Sequence, residues 1–160
     1  MIEGKLQELK ARANLPLTED QLEWLERKIE GALPSSYRWM LSQYGGLSFR
    51  SVFHPDPQLN SLMQFCWFFD FEEFVDALES YSDSIPLDMI PIGDDSDGNL
   101  YCLGIHGSNR GKVFFHDHNI GWHSDADANP DIDPSEFRNQ TVYELSDSLD
   151  DFVSSMVYVE

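Results

Sequence analysis

The sequence predicts a single α+β domain over residues 1–160, built on a mainly antiparallel central sheet of short strands. Three observations support this prediction. Helical patterns stand near the start and at the end of the chain, short strand patterns fill its middle, and one more helical pattern interrupts those strands. The N-terminal helices, the middle helix and the C-terminal helix are therefore expected to flank one sheet. The 160 residues, 41% of them apolar, show no internal repeat or linker and suit one core.

Three helices are predicted before the first strand. Spaced leucines near the start indicate a short first helix. Thr18 can cap the second helix, since Gln21 can complete a capping box, and Gly31 is a suitable stop. The third helix is expected to open near Pro34, which the first turn tolerates, and to end at 45–46, where glycines accept positive φ.

After this glycine pair the apolar pattern becomes that of strands. Residues 47–52 predict a strand that ends in a polar, proline-containing connection through 54–57. Residues 65–69 predict an apolar strand. Asp70 can then cap a helix over 71–80.

The second half of the chain alternates short strands with turns. Strands are predicted at 89–92, 99–103 and 112–115, with a turn at 93–98 that is rich in glycine and aspartate. A closing helix is predicted over 145–157.

The net charge is −19, from 29 acidic and 10 basic residues, and it is unevenly distributed. Residues 1–50 carry seven of each sign, so the whole excess lies after residue 50. Nucleic acids and anionic membranes need Lys and Arg next to their phosphates, so neither is expected as a partner. The charge favours a basic protein partner, whose association an acidic surface accelerates. The simpler alternative is that the acidity only maintains solubility.

The sequence also favours a cytoplasmic location. The N-terminus has no apolar segment of the kind found in signal peptides, and no apolar run reaches the length of a membrane span. Cys66 and Cys102 are isolated, without a CxxC pair or a cysteine-rich framework. They are therefore expected to be reduced and mostly buried thiols.

The acidic turn at 93–98 invites a calcium interpretation, which its spacing does not support. With Gly98 at the sixth position of an EF-hand loop, the first and twelfth positions fall on Gly93 and Gly104, where carboxylates are needed. Two interpretations of this segment remain, a less regular cation site and a polar turn without a ligand, and the polar turn is favoured. The carboxylates concerned are Asp94, Asp95 and Asp97.

Four histidines offer a second possible metal site. His116 and His118 are spaced to share one face of a strand, with His106 and His123 near them in sequence. Neither cysteine is close and an HxH pair alone is a weak signal, so no metal or cofactor is predicted. A GxSxG elbow and a phosphate-binding glycine loop are also absent from the sequence. A hydrolase or metal-dependent enzyme built on 106–123 is the minor alternative.

Several segments together resemble a known family. The N-terminal signature of the SMI1/KNR4 (SUKH) family, an LP-x-x-Y helix running into an Asn-Gly-Gly-like turn, is similar to Leu33-Pro34-Ser35-Ser36-Tyr37, Leu41 and Tyr44-Gly45-Gly46. The family's central strands are similar to 90–93, 98–104 and 111–118. The resemblance spans about residues 18–123, and the closing helix also fits. Tyr44 stands where Asn is commoner, and 124–140 matches no part of the pattern.

The resemblance implies a protein that acts by binding and has no catalytic residues. Many bacterial members of the family are immunity proteins of polymorphic toxin and contact-dependent systems, which neutralise toxins, often nucleases, by binding them. Eukaryotic relatives are interaction modules in cell-wall signalling. The positions that match the motifs are expected to be structural: Leu33, Pro34, Tyr37, Leu41, Gly45, Gly46, Gly98, Gly104 and Asp117.

Charge and resemblance together predict a cytoplasmic immunity protein that presents an acidic face to a basic toxin domain. The expected contacts are seven aspartates and one aromatic anchor: Asp94, Asp95, Asp97, Asp125, Asp127, Asp131, Asp133 and Trp122. A generic regulatory or scaffold module is the main alternative, and each aspartate could instead be a solvated loop residue. Self-association stays open.

Overall fold

The computed structural model describes residues 2–123 and 133–160. These residues form an antiparallel sheet flanked by helices, which confirms the predicted α+β class. The helices are α1 (Glu3–Glu8), α2 (Glu19–Lys28), α3 (Ser35–Tyr44), α4 (Phe71–Ser80), α5 (His118–His123), α6 (Pro134–Gln140) and α7 (Leu149–Ser155). The strands are β1 (Arg12–Ala13), β2 (Leu47–Asp56), β3 (Ser61–Phe68), β4 (Met89–Asp94), β5 (Leu100–Gly104), β6 (Val113–His116), β7 (Val142–Ser146) and β8 (Val157–Tyr158).

The strands follow one another across the sheet in chain order from β1 to β7, and β8 pairs with β2. Each pairing is antiparallel. The register places Arg12 opposite Ser48, Ser48 opposite Trp67, and Trp67 opposite Asp94. Because directly opposed residues lie on the same face of a sheet, these four side chains form one row across β1 to β4.

The core centres on an aromatic cluster around α7. The ring centroid of Phe152 lies 5.6 Å from those of Phe65 and Tyr101 and 6.4 Å from that of Phe68. Such edge-on aromatic contacts stabilise a core beyond the area that they bury. The predicted inward face of the closing helix is confirmed, since its four members are buried: Leu149, Phe152, Val153 and Met156.

Both predicted helix caps are present. The Thr18 hydroxyl accepts the backbone N–H of Gln21 at 3.2 Å, and the Gln21 side chain accepts that of Thr18 at 2.9 Å. Asp70 and Glu73 make the same reciprocal pair at the start of α4, both at 2.9 Å. Each box satisfies two N–H groups that a helix start would otherwise leave without partners.

The two glycines after α3 allow three segments to meet. Gly45 has a φ of 66°, and a Cβ at this position would lie 1.9 Å from the carbonyl oxygen of Leu15. A Cβ on Gly46 would lie 2.7 Å from the backbone nitrogen of Asp70. A side chain at either position would therefore push the start of α4 or the segment before α2 away from the end of α3.

The predicted polar connection at 54–57 is wrong, because β2 continues through Asp56. His54 and Asp56 are polar but buried. The His54 ring stacks on the Phe152 ring with centroids 4.5 Å apart, and the Asp56 carboxylate accepts the N–H of Gln58 at 2.8 Å. The fold thus encloses side chains that were expected to meet water, and the buried Nε2 atom of His54 has no hydrogen-bond partner among the described residues.

The predicted helix stop at Gly31 is also wrong. Helix α2 ends at Lys28, and the residue with the left-handed conformation is Glu30, with a φ of 55°. Gly31 instead lies against the His106 ring, where a Cβ would come within 2.8 Å of a ring carbon.

The closing helix is shorter than predicted. Helix α7 begins at Leu149, because the Ser148 hydroxyl caps it by accepting the N–H of Asp151 at 3.1 Å. The residues just before this cap form β7, which pairs with β6 and was not predicted. Helices α5 and α6 were not predicted either.

Candidate protein interaction surface

The three central aspartates of the prediction lie at the turn between β4 and β5. The Asp95 carboxylate accepts the N–H groups of Asp97 at 2.8 Å and of Asn99 at 3.0 Å, and the Asn99 amide at 2.9 Å. Asp95 therefore builds the turn, in keeping with the polar-turn interpretation. Asp97 is exposed, whereas Asp94 stands at the end of β4 and is half-buried.

Asp94 differs from its neighbours because one of its carboxylate oxygens is buried without a hydrogen bond. Its Oδ1 atom is buried and accepts no hydrogen bond from the described residues. Burial, and then the nearby charges of Asp95 and Glu73, raise the pKa of Asp94 to about 7. An ionised carboxylate in this position is unfavourable, because its Oδ1 atom loses water without gaining a donor and two negative charges lie nearby.

Trp67 lies directly opposite Asp94 and is 36% exposed. Beside it, a cavity of about 290 Å³ is bordered by residues of β1, β2 and β3 and by Glu73. Arg12 brings one positive charge to the edge of this cavity. An exposed tryptophan next to carboxylates can stack with an arginine or lysine from a partner.

Two further apolar side chains are exposed around the start of α4. Trp24 is 39% exposed and its ring packs edge-on against Phe71, with centroids 5.7 Å apart. Leu15 is 82% exposed, and the preceding residue, Asn14, donates from its side chain to the Asp70 carboxylate at 3.0 Å. We call the set formed by Leu15, Trp24, Trp67, Glu73 and Asp94 the tryptophan surface.

Sequence reasoning found only one residue of the tryptophan surface, Asp94. Trp67 was missed because it falls in the apolar run 65–69, in which nothing separates an outward ring from inward ones. Glu73 was assigned to no site because its nearness to Asp94 depends on the packing of α4 on β4.

The remaining predicted contacts belong to the acidic segment 124–133 and to α5. Asp133 caps α6, where its carboxylate accepts the N–H of Ser135 at 2.9 Å and the Ser135 hydroxyl at 2.8 Å. These hydrogen bonds lower the pKa of Asp133. Trp122 falls in α5, but its side chain is outside the described part of the structure. The other three are outside the described residues altogether: Asp125, Asp127 and Asp131.

The histidines do not share a strand face, so that prediction is wrong. Strand β6 ends at His116, whose ring is buried, and His118 opens α5 with its Nδ1 atom 2.6 Å from the Asn99 side-chain oxygen. His106 is exposed and lies against Gly31. Within residues 2–123 and 133–160, no three His, Cys, Asp or Glu side chains converge on a possible metal position.

The residues that match the family motifs lie at buried, closely packed or turn positions of the fold. Tyr37 is fully buried, 6.1 Å from Phe74 between ring centroids, and burial raises the pKa of its hydroxyl. A Cβ on Gly104 would lie 1.8 Å from the carbonyl oxygen of Asn109. Leu33 and Leu41 are buried, and Gly98 has a positive φ. Pro34 directly precedes α3, and Asp117 directly precedes α5.

Both cysteines are buried and free, as expected. Burial raises the pKa of each thiol, and Cys102, which is fully enclosed in β5, is the less accessible of the two. Across the described ranges, the helices are too short or too polar to cross a membrane.

Comparison with known proteins assigns the fold and its motifs to one family. The model of the SMI1 / KNR4 family (SUKH-1) matches residues 16–155. The chain is also 29% identical, over 161 aligned positions, to the SPbeta prophage-derived uncharacterized protein YokK of Bacillus subtilis (strain 168). That alignment covers 88% of this chain and 74% of the relative. The match to most of the chain, together with the buried LP-x-x-Y helix and its glycine turn, shows that this protein belongs to the SMI1/KNR4 (SUKH-1) family.

Proposed function

We propose that this protein is a non-enzymatic immunity-type protein of the cytoplasm, which neutralises a basic toxin domain by binding it through the tryptophan surface. The observation that carries the proposal is the buried Oδ1 atom of Asp94, which has no hydrogen-bond partner among the described residues, beside the exposed ring of Trp67. Family membership supports the class of function, and the net charge of −19 supports a basic partner.

The energetics of Asp94 favour a role in binding. Its charged form destabilises the free protein, since burial and two neighbouring carboxylates all oppose ionisation. A lysine or arginine from a partner supplies the missing donor and neutralises part of this charge. The complex therefore regains part of the folding free energy that the ionised Asp94 takes from the free protein. A residue that weakens the free fold and strengthens a complex is a common compromise at functional surfaces.

The apolar members of the surface supply the rest of the binding energy. Tryptophan is enriched among the few residues that dominate protein interfaces, and Trp24 and Trp67 are both partly exposed around the start of α4. Leu15 adds an exposed aliphatic group. Aromatic rings bordered by acids match a basic surface such as the substrate-binding face of a nuclease.

The enzymatic alternative has less support. It depended on the histidines in 106–123, and the described ones lie apart in a strand, a helix and a loop. His116 is buried, which lowers the pKa of its ring and removes it from substrate.

The proposal is tested with a toxin domain encoded next to the gene for this protein. The two are co-expressed, growth rescue is scored, and the affinity of the purified pair is measured. Asp94→Asn and Trp67→Ala are each expected to weaken binding by about tenfold or more. Asp147→Asn removes the same charge in the turn after β7, three strands along the sheet, and should leave the affinity nearly unchanged.

Two results would overturn the proposal. Absence of both binding and rescue by the wild-type chain rejects the immunity role for that toxin. If Asp94→Asn, Trp67→Ala and Asp147→Asn all rescue growth equally well and bind with unchanged affinity, the interface lies elsewhere.

A further inference from the structure

The turn between β4 and β5 contains the pair Asp97-Gly98, and Asp97 is the only aspartate in the sequence that precedes a glycine. Asp97 is exposed, and its carboxylate takes no part in the hydrogen bonds that build the turn. Gly98 has a φ of 89°, and a Cβ placed on it would meet no atom nearer than 3.9 Å. The Asp97 carboxyl group therefore lies next to a backbone nitrogen whose own residue has no side chain to shield it.

Asp95, in the same turn, shows how a carboxylate is kept away from the backbone nitrogen that follows it. Its carboxylate accepts the N–H groups of Asp97 at 2.8 Å and of Asn99 at 3.0 Å, and the Asn99 amide at 2.9 Å. An approach of this carboxyl group to the nitrogen of Ser96 would require those hydrogen bonds to break. The structure thus separates two neighbouring aspartates, one held by the turn and one free to react.

An aspartate next to a glycine can isomerise without a cofactor, because the two reacting groups belong to adjacent residues and the first step is intramolecular. The Gly98 nitrogen attacks Cγ of the Asp97 carboxylic acid. The N–Cγ bond forms, a Cγ–O bond breaks, and this oxygen leaves as water with the acid proton and the amide proton. Water then opens the succinimide by breaking the bond between the same nitrogen and the main-chain carbonyl carbon of Asp97. The product has the same atoms, but its main chain runs through the Asp97 side chain.

We propose that Asp97 is a site of spontaneous isoaspartate formation in the folded protein, and that the product is a substrate for an isoaspartyl methyltransferase. Such an enzyme transfers the methyl group of S-adenosylmethionine to the carboxylate that isomerisation frees, which forms a methyl ester and releases S-adenosylhomocysteine. The inference goes beyond the proposed immunity function and does not depend on it.

Isomerisation at Asp97 also changes the turn that Asp95 builds. The N–H groups of Asp97 and Asn99, which both donate to the Asp95 carboxylate, lie on either side of the altered bond. The added main-chain carbon lengthens the path between these two donors, so the carboxylate can no longer hold both at their present distances. The Asn99 side chain also accepts the N–H of His118 at 3.2 Å, so the change reaches the start of α5.

Ageing of the native full chain near neutral pH tests the proposal. Samples taken over time are treated with purified isoaspartyl methyltransferase and labelled S-adenosylmethionine, and electron-transfer fragmentation locates the isomerised residue. The label should accumulate with time and map to Asp97. Asp97→Glu keeps the charge but requires a larger ring that forms more slowly, so this variant should lose the label. Asp147→Glu makes the same change at another exposed aspartate, which precedes a serine, and should keep the label.

The amide signals of Asp97 and Asn99 should change in the aged wild type and stay unchanged in aged Asp97→Glu. The proposal is overturned if the native chain gains no label, if Asp97→Glu gains as much as the wild type, or if the label maps to other aspartates such as Asp95. A chain kept unfolded in urea supplies the last comparison. Label at Asp97 in the unfolded chain alone would show that the folded turn protects this pair, and would also overturn the proposal.

Discussion

Replacing Asp94 with asparagine should stabilise the free protein at slightly alkaline pH. Asparagine keeps the shape of the side chain but cannot ionise. The folded-state pKa of about 7 lies above the ordinary value of 3.8, so between these values the folded state holds a proton that the unfolded state releases. Wild-type stability therefore falls as the pH rises from about 4 to 7. This loss is absent from Asp94→Asn.

The size of the effect follows from the pKa shift of Asp94. Three pH units at about 1.4 kcal/mol each set an upper limit of about 4 kcal/mol. Asp94 is only half-buried, so solvent screens part of this energy, and a gain of about 1–2 kcal/mol at about pH 8 is expected. At about pH 3.5 the Asp94 carboxyl is largely protonated in the folded and in the unfolded wild type, and the gain should largely disappear.

Urea unfolding at the two pH values measures the difference in the free energy of unfolding. Asp97→Asn is the control, because it removes one exposed negative charge from the same turn and reports the general relief of repulsion. The reasoning about Asp94 is refuted if Asp94→Asn is no more stable than Asp97→Asn at about pH 8. It is equally refuted if the gain has the same size at both pH values.

Three further predictions concern the fold. Gly45→Ala should lower the free energy of unfolding by about 2 kcal/mol or more in urea melts, because it strains a positive φ and meets the Leu15 carbonyl, whereas Gly4→Ala, with open space around it, should not. His54 is buried and its pKa is lowered, so stability should fall as the pH drops below about 6.5, and His54→Phe should lessen this fall in melts between about pH 7 and 5. Cys66 and Cys102 should react with a thiol reagent only on unfolding in denaturant, and rapid labelling of native Cys102 would contradict its burial.

Local signals predicted those parts of the fold that local contacts determine. The capping boxes at Thr18 and Asp70 need only residues three positions apart, and the inward face of α7 follows from helical spacing. The predicted strand ended before His54, whereas β2 continues through Asp56. Burial of the His54 ring depends on Phe152, which lies almost a hundred residues further along the chain. Glu30 took the left-handed position that Gly31 was expected to fill, and the N–H of Gly31 instead donates to the Glu26 carbonyl at 3.0 Å.

The candidate surface was harder to predict because it consists of long-range neighbours. Aspartates in turns look alike in a sequence, yet Asp95 is used to build its turn and Asp94 is left without a donor. Only the packing of α4 brings Glu73 near Asp94, and only the register of β3 with β4 brings Trp67 opposite it. Sequence reasoning therefore reached a turn that the candidate surface includes but missed the aromatic ring beside it.

The pairing of β2 with both β1 and β8 has a consequence for folding during synthesis. Strand β1 covers β2 at Leu47 and Ser48, and β8 covers it at Val52 and Phe53. The second of these pairings must wait until residue 158 has left the ribosome, so that part of β2 is an open strand edge on the nascent chain. Open edges recruit other strands, and slow non-local pairing prolongs that exposure. A chain that stops before β8 should therefore aggregate more readily, even though every helix described above remains in its sequence.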